Sequence, residues 1–401
     1  MNGFGKQQKS KKKSNKKTKL SKEQIINKAI QFHLKGNIPE AKKYYQYCIS
    51  QGFNDHIVFS NYALILQGIG KLVEAELSTR KAIEIKPDFA EAHSNLGNIL
   101  SDLGKLEDAE ISFRKAIEIN PNFANAQYNL GGILIDIGKS KEAEVHTRKA
   151  IEINPNFTDA YLNLGNILKD IGKLKEAEVH TRKAIEINPN FAEAHYNLGN
   201  VLRDHRKSQD ALDSYLKAIK INPNFAEAHY NLGNVLRDLG KSQDAFDSYR
   251  KVIEINPSFY NIYPSITRFL QDSDPSQLNK LKLKNILNLL LEKNNISHME
   301  LFKVFHFLYG NEIISNLEKF DLDFSDIELL INDKIIINAL KKIILSDLKL
   351  EELLTKIRRS ICDLIDKNKE TINYSALKFI IALGEQCFLN EYVYSVTEEE
   401  N

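Results

Sequence analysis

Asparagine recurs in this chain at a fixed interval. Asn61, Asn95, Asn129, Asn163, Asn197 and Asn231 stand 34 residues apart. Three positions later come Asn98, Asn166, Asn200 and Asn234, and four after those come Asp102, Asp136, Asp170, Asp204 and Asp238. Spacings of 3, 4 and 7 put such residues on one face of a helix. Asn inside a helix costs about a few tenths of a kcal/mol against Ala, so its repetition asks for a reason. A primary amide both donates and accepts, which matches the peptide unit of an extended chain. A column of amides would hold a polypeptide backbone with little regard for its side chains. The Asp column, with Arg203 and Arg237, would add charge preference. On the plainer reading the asparagines are copies left by duplication and serve nothing. Changing Asn129, Asn163 and Asn197 together to Ala is expected to leave folding intact and abolish partner capture.

Other chemistry has thinner support. His93, His195 and His229 share one repeat position, and His146 and His180 another. Their separations follow the repeat, and no HExxH is present, so no metal site is expected. No GxSxG, Walker loop or GxGxxG occurs, and no catalytic residue or cofactor is expected. Pairs such as Glu107/Lys115 and Glu142/Lys149 read as a solvated charged face.

These columns need regularly spaced helices, and the sequence supplies them. From Lys22 to Phe259 the chain repeats every 34 residues, in blocks starting at Lys22, His56, Ala90, Ala124, Thr158, Ala192 and Ala226. Pro87, Pro121, Pro155, Pro189, Pro223 and Pro257 keep the same register, as do Gly36, Gly70, Gly104, Gly138, Gly172 and Gly240. In the block from Ala90, the residues Ala92, Leu96, Ile99, Leu100 and Leu103 form a helical apolar stripe. Gly104 marks a turn, Ala109, Phe113, Ala116 and Ile117 form a second stripe, and Asn120-Pro121 ends it. Small residues (Gly97, Ala109, Ala116 and their counterparts) recur where two helix axes must approach. Arg206 stands where other blocks carry the turn glycine, at a cost on the order of 1 kcal/mol.

The set Leu96-Gly97, Leu100, Gly104, Ala109, Phe113, Ala116 and Pro121 resembles the tetratricopeptide repeat, over residues 22–259. The first block is degenerate, with Phe53 in place of the proline, as suits a capping repeat. The resemblance implies an all-α, right-handed superhelical solenoid whose Asn/Asp face lines the concave side. The Asn column is also similar to that of O-linked N-acetylglucosamine transferases. The implied function is a noncatalytic scaffold that holds an extended protein segment.

Residues 260–273 read as a capping helix and 274–401 as a separate helical domain, with helices expected over 281–291, 301–308, 335–345 and 380–389. Within it, residues 350–359 and 382–393 resemble a helical module that precedes methyltransferase-like domains in bacterial repeat proteins. On that resemblance the chain would present substrate for a partner transferase. Residues 1–21 are rich in Lys, Ser, Asn and Gln and read as a disordered basic tail. Nine Lys fall in residues 1–22, so the remainder carries a net −7. Nucleic acid would be met only nonspecifically, through that tail. Three scattered cysteines fit a reducing compartment, and no signal peptide or membrane-length apolar run is visible, so a cytoplasmic location is expected.

Overall fold

The computed structural model of the chain describes residues 20–310, 313–314, 332–345, 347–368 and 374–390. Apart from Leu20 and Ser21, the basic tail lies outside them. The described residues are helical, with no strand among them. The chain divides into two compact units that meet in sequence between Ile187 and Asn188.

In the first unit five helix pairs follow one another: α1 (Lys22–Leu34) with α2 (Ile38–Ser50), α3 (His56–Gly68) with α4 (Leu72–Ile85), α5 (Ala90–Asp102) with α6 (Leu106–Ile119), α7 (Ala124–Asp136) with α8 (Ser140–Ile153), and α9 (Thr158–Asp170) with α10 (Leu174–Ile187). Ser21 opens the series. Its hydroxyl accepts from the Gln24 amide while the Gln24 side chain accepts from the Ser21 amide, so two otherwise orphaned donors are satisfied. Ser21 therefore belongs to the folded body rather than to the tail.

Each pair is held by a turn and a seam. At the α5–α6 turn Gly104 takes φ 74°, and Lys105 N–H closes onto the Leu100 carbonyl at 2.8 Å. At the seam, a Cβ on Gly97 would stand 2.7 Å from the Phe113 ring, so glycine is what lets that ring lie flat against α5. The two axes then approach closely, and Ala109 and Ala116 are fully buried between them. Phe113 joins Leu96, Leu100, Leu130, Ile133, Leu134 and Ile167 in a core that runs from one pair into the next. The Asn-Pro ends are local devices. The Asn120 carboxamide oxygen accepts from Asn122 N–H, which turns the chain before α7.

The second unit continues the pattern with α11 (Ala192–Asp204), α12 (Ser208–Ile221), α13 (Ala226–Asp238), α14 (Ser242–Ile255), α15 (Ile262–Asp272) and α16 (Lys280–Leu291). Beyond it come helical stretches at Phe302–Phe305, Lys334–Lys342, Leu348–Asn368 and Tyr374–Asn390. Two boundaries differ from expectation. The helix expected from Tyr260 starts at Ile262, because Asn261 is left-handed at φ 60° and leaves Tyr260 outside. The helix expected over 335–345 ends at Lys342, where Ile343 turns extended. The expected helix over 301–308 is split into a 3-10 turn, a short α segment and a π turn.

Candidate functional site

The first helices α5, α7, α9, α11 and α13 carry the Asn and Asp columns. Asn95, Asn98, Asn129, Asn163, Asn166, Asn197, Asn200 and Asn234 are all partly exposed, and Asn231 is buried. Asp102, Asp136, Asp170, Asp204 and Asp238, one turn nearer the helix end, are exposed.

The amides are less free than the sequence implies. Asn129 Nδ2 donates to Asn98 Oδ1 at 3.0 Å, and Asn95 Nδ2 to Ser60 Oγ at 3.2 Å. In the second unit Asn231 Nδ2 donates to Asn200 Oδ1 at 2.9 Å and to the Tyr196 hydroxyl at 3.2 Å. Asn200 and Asn234 also accept from the hydroxyls of Tyr215 and Tyr249, each at 2.8 Å. The column is thus partly a ladder that ties a first helix to the preceding pair. Burial forces these contacts, since Tyr215 and Tyr249 are fully enclosed and each hydroxyl needs an acceptor. Burial also pushes both phenols well above the usual tyrosine range. The expectation that Asn129 could be removed without cost to the fold is corrected on this ground.

The ladder is incomplete: among the described residues neither Asn163 nor Asn197 bonds the residue 31 positions earlier, although Asn129 and Asn231 do. Gly132 stands where the repeats from Ala90, Thr158, Ala192 and Ala226 carry the second asparagine, and around its Cβ position there is open space. Asn163, 31 positions after Gly132, has no bond from its amide among the described residues. Asn166, opposite Thr181 rather than a tyrosine, has none either. Around the Asn98–Asn129 rung, with Gly132 on its wall, lies a cleft of about 350 Å³ formed by α3, α5, α6 and α7. It is lined by Gln67, Asn98, Ser101, Asp102, Phe113, Tyr128, Asn129, Gly132, Ile133 and Asp136. Asp102 accepts from Gln67 Nε2 at 2.6 Å. No lysine or arginine lines the cleft, so its field is negative. The columns gather Asn98, Asp102, Asn129 and Asp136 here. Gln67, Ser101, Tyr128 and Gly132 were missed, although the missing asparagine at 132 was the available signal.

In the second unit the charges pair locally: Arg203 with Asp204 at 3.2 Å, and Arg237 with Asp238 at 3.0 Å. In the first unit Asp170 is paired with Lys169 at 3.2 Å.

The remaining candidates resolve into structure. His93, His195 and His229 bond the carbonyls of Pro87, Pro189 and Pro223 at 2.9–3.1 Å. Tyr263 makes the same bond to Pro257, at 2.9 Å. His146 faces Gln127 at 2.7 Å, and burial beside Arg114 holds its pKa below the usual 6.5. Among the described residues no group of His, Cys, Asp and Glu could hold a metal ion. The charged pairs are not those expected. Lys115 meets Glu118 and Lys149 meets Glu152, one turn on, while Glu142 meets Arg114 of the preceding pair.

Residues 90–123 and 226–259 match the family described as tetratricopeptide repeat, as do 112–145 and 146–179 to a second such family; 165–204 and 207–240 match the TPR repeat family. No curated protein matches this chain. Among solved structures it is similar to YrrB, described as a TPR protein with an unusual peptide-binding site. That likeness has 27% identity over 47% of this chain and 97% of the other, with a TM-score of 0.40. It is also similar to PilW, a type IV pilus biogenesis factor, at 20% identity over 53% of this chain and 98% of the other, with a TM-score of 0.50. A third likeness is to the APC/C hetero-tetramer Cut9–Hcn1, at 15% identity over 61% of this chain and 48% of the other, with a TM-score of 0.53. The last two are likenesses of fold. Among the described residues no helix is long and apolar enough to cross a membrane.

Proposed function

We propose that this chain, which carries tetratricopeptide repeats, is a noncatalytic scaffold that receives an extended polypeptide segment on its first-helix face. The cleft over Gly132 carries the reading. It offers amides from Asn98 and Asn129 for a peptide backbone, a tyrosine wall, and two carboxylates without a facing cation. An extended segment places alternate side chains about 6.6–6.8 Å apart on one face. A lysine or arginine among them would meet Asp102 or Asp136, and its neighbours would rest on Tyr128. The second unit's amide ladder, with Arg203 and Arg237 beside Asp204 and Asp238, is a more neutral surface for the same purpose. The expected capping helix and C-terminal helical domain are proposed to close or extend this surface.

Peptide arrays probed with the full-length chain test the reading. Segments with basic residues at alternate positions are expected to bind best, and the double change Asp102→Asn/Asp136→Asn to lower their affinity about tenfold. Binding that ignores peptide charge and both substitutions would refute it. The alternative, a substrate-presenting part of a split transferase, predicts instead that a sugar nucleotide or S-adenosylmethionine binds when a catalytic partner is supplied.

A further inference from the structure

The second helices of the first unit expose a column of aliphatic side chains. Leu77, Ile111, Val145 and Val179 are 34 residues apart, and each keeps 63–65% of its surface in water. Four large aliphatics so exposed, at the same place on α4, α6, α8 and α10, form a stripe rather than scattered exceptions. In the next two repeats the position is occupied by Asp213 and Asp247. The stripe therefore belongs to the first unit alone.

The charges around the stripe have an order. On α8 and its preceding turn the charged residues are Lys139, Lys141, Glu142 and Glu144 before Val145, and Arg148, Lys149 and Glu152 after it. Lys139 and Glu142 on one side are answered by Glu152 and Arg148 on the other, so these signs invert across the apolar residue, while Lys141 is matched by Lys149. The inverting set recurs from Lys71 to Glu84 around Leu77, from Lys105 to Glu118 around Ile111, and from Lys173 to Glu186 around Val179, where Lys175 repeats the exception of Lys141. These groups stay partly exposed despite their intramolecular pairs. A surface whose charge inverts about an apolar line is complementary to itself. Glu142 and Arg148 each lie about 4.5 Å along the helix from Val145, on opposite sides.

We infer that this face docks a second copy of the chain about a twofold axis running along the stripe. Each aliphatic then meets its own counterpart, and each exposed helix packs antiparallel on its equivalent. Glu142 falls opposite Arg148 and Lys149, and Glu152 opposite Lys139. Placing the axis across the stripe would instead set every charge against its own sign, so the pattern selects one register. Four helices with about six side chains each match the roughly 20–30 residues per side of a stable interface.

Sedimentation of the full-length chain provides the test. The wild type is expected to be a dimer at about 100 µM, and Ile111→Asp/Val145→Asp to weaken self-association about a hundredfold. Asp already occupies this position in two repeats, so the circular dichroism and melting point should hold. Ile111→Ser/Val145→Ser, which adds no charge, is expected to weaken the dimer in the same direction. For the register, a bismaleimide should link Ile111→Cys to itself in a Cys362→Ser/Cys387→Ser background. A mixture of Leu77→Cys and Val179→Cys should give no cross product. A monomeric wild type, a dimer indifferent to both double changes, or a Leu77–Val179 cross-link without the 111–111 one would overturn the inference.

Discussion

A single substitution shows how strictly the turn is specified. Arg206 replaces the turn glycine yet holds φ 60°, and Lys207 N–H still closes onto the Leu202 carbonyl at 2.8 Å. A left-handed arginine costs roughly 1–2 kcal/mol. Arg206→Gly should therefore raise the unfolding free energy by about 1 kcal/mol in denaturant titration, less the entropy glycine adds to the unfolded chain. The asparagines divide in the same way. Asn129→Ala should cost about 1 kcal/mol, since it removes the bond to Asn98, while Asn163→Ala should change stability by less than about 0.5 kcal/mol. The conflict at Arg206 was readable from the repeat register alone. The division among asparagines was not. It depends on the residue 31 positions earlier, as at Asn129 and Asn231, and on whether the buried residue 15 positions later is a tyrosine, as at Asn200 and Asn234, since the Thr181 hydroxyl turns to its own helix.

At the scale of the helix, spacing dictated much of what is seen. Apolar stripes, turn glycines and Asn-Pro ends place α5 and α6 where the structure has them. Less regular segments resisted reading, because residues 301–310 take three helical geometries in succession and no periodicity encodes such a change. The second helices also carry a pH response. His146 and His180 are held below the usual 6.5, first by burial and then by Arg114 and Arg148 respectively. A pKa lowered on folding means that the unfolded chain binds the proton more readily. Their contribution is thus present above about pH 6.5 and lost as pH falls below it. The lowered pKa of Glu76, Glu110 and Glu144, each beside an arginine and a lysine, adds a loss at still lower pH, near and below the ordinary glutamate range. Melting points measured from pH 7 to 5 should decline, and His146→Gln/His180→Gln should flatten that decline.

For the molecule as a whole, the two units carry the same ladder with different electrostatics. Cations answer the carboxylates at Asp204 and Asp238, whereas Asp102 and Asp136 have none among the described residues. The repeat architecture was legible because duplication writes each position several times. The cleft was not, because its wall includes Gly132, where this copy lacks the asparagine of the repeats beside it. That departure also supplies the most direct test of peptide capture. An aromatic ring at 132 has open space around its Cβ, and replacing a helical glycine does not weaken α7, so Gly132→Phe should fill the cleft and leave the fold intact. Calorimetric titration of the full-length chain with its best array-selected basic peptide should then show binding to wild type and none to Gly132→Phe. Equal affinity for the two proteins would contradict the assignment.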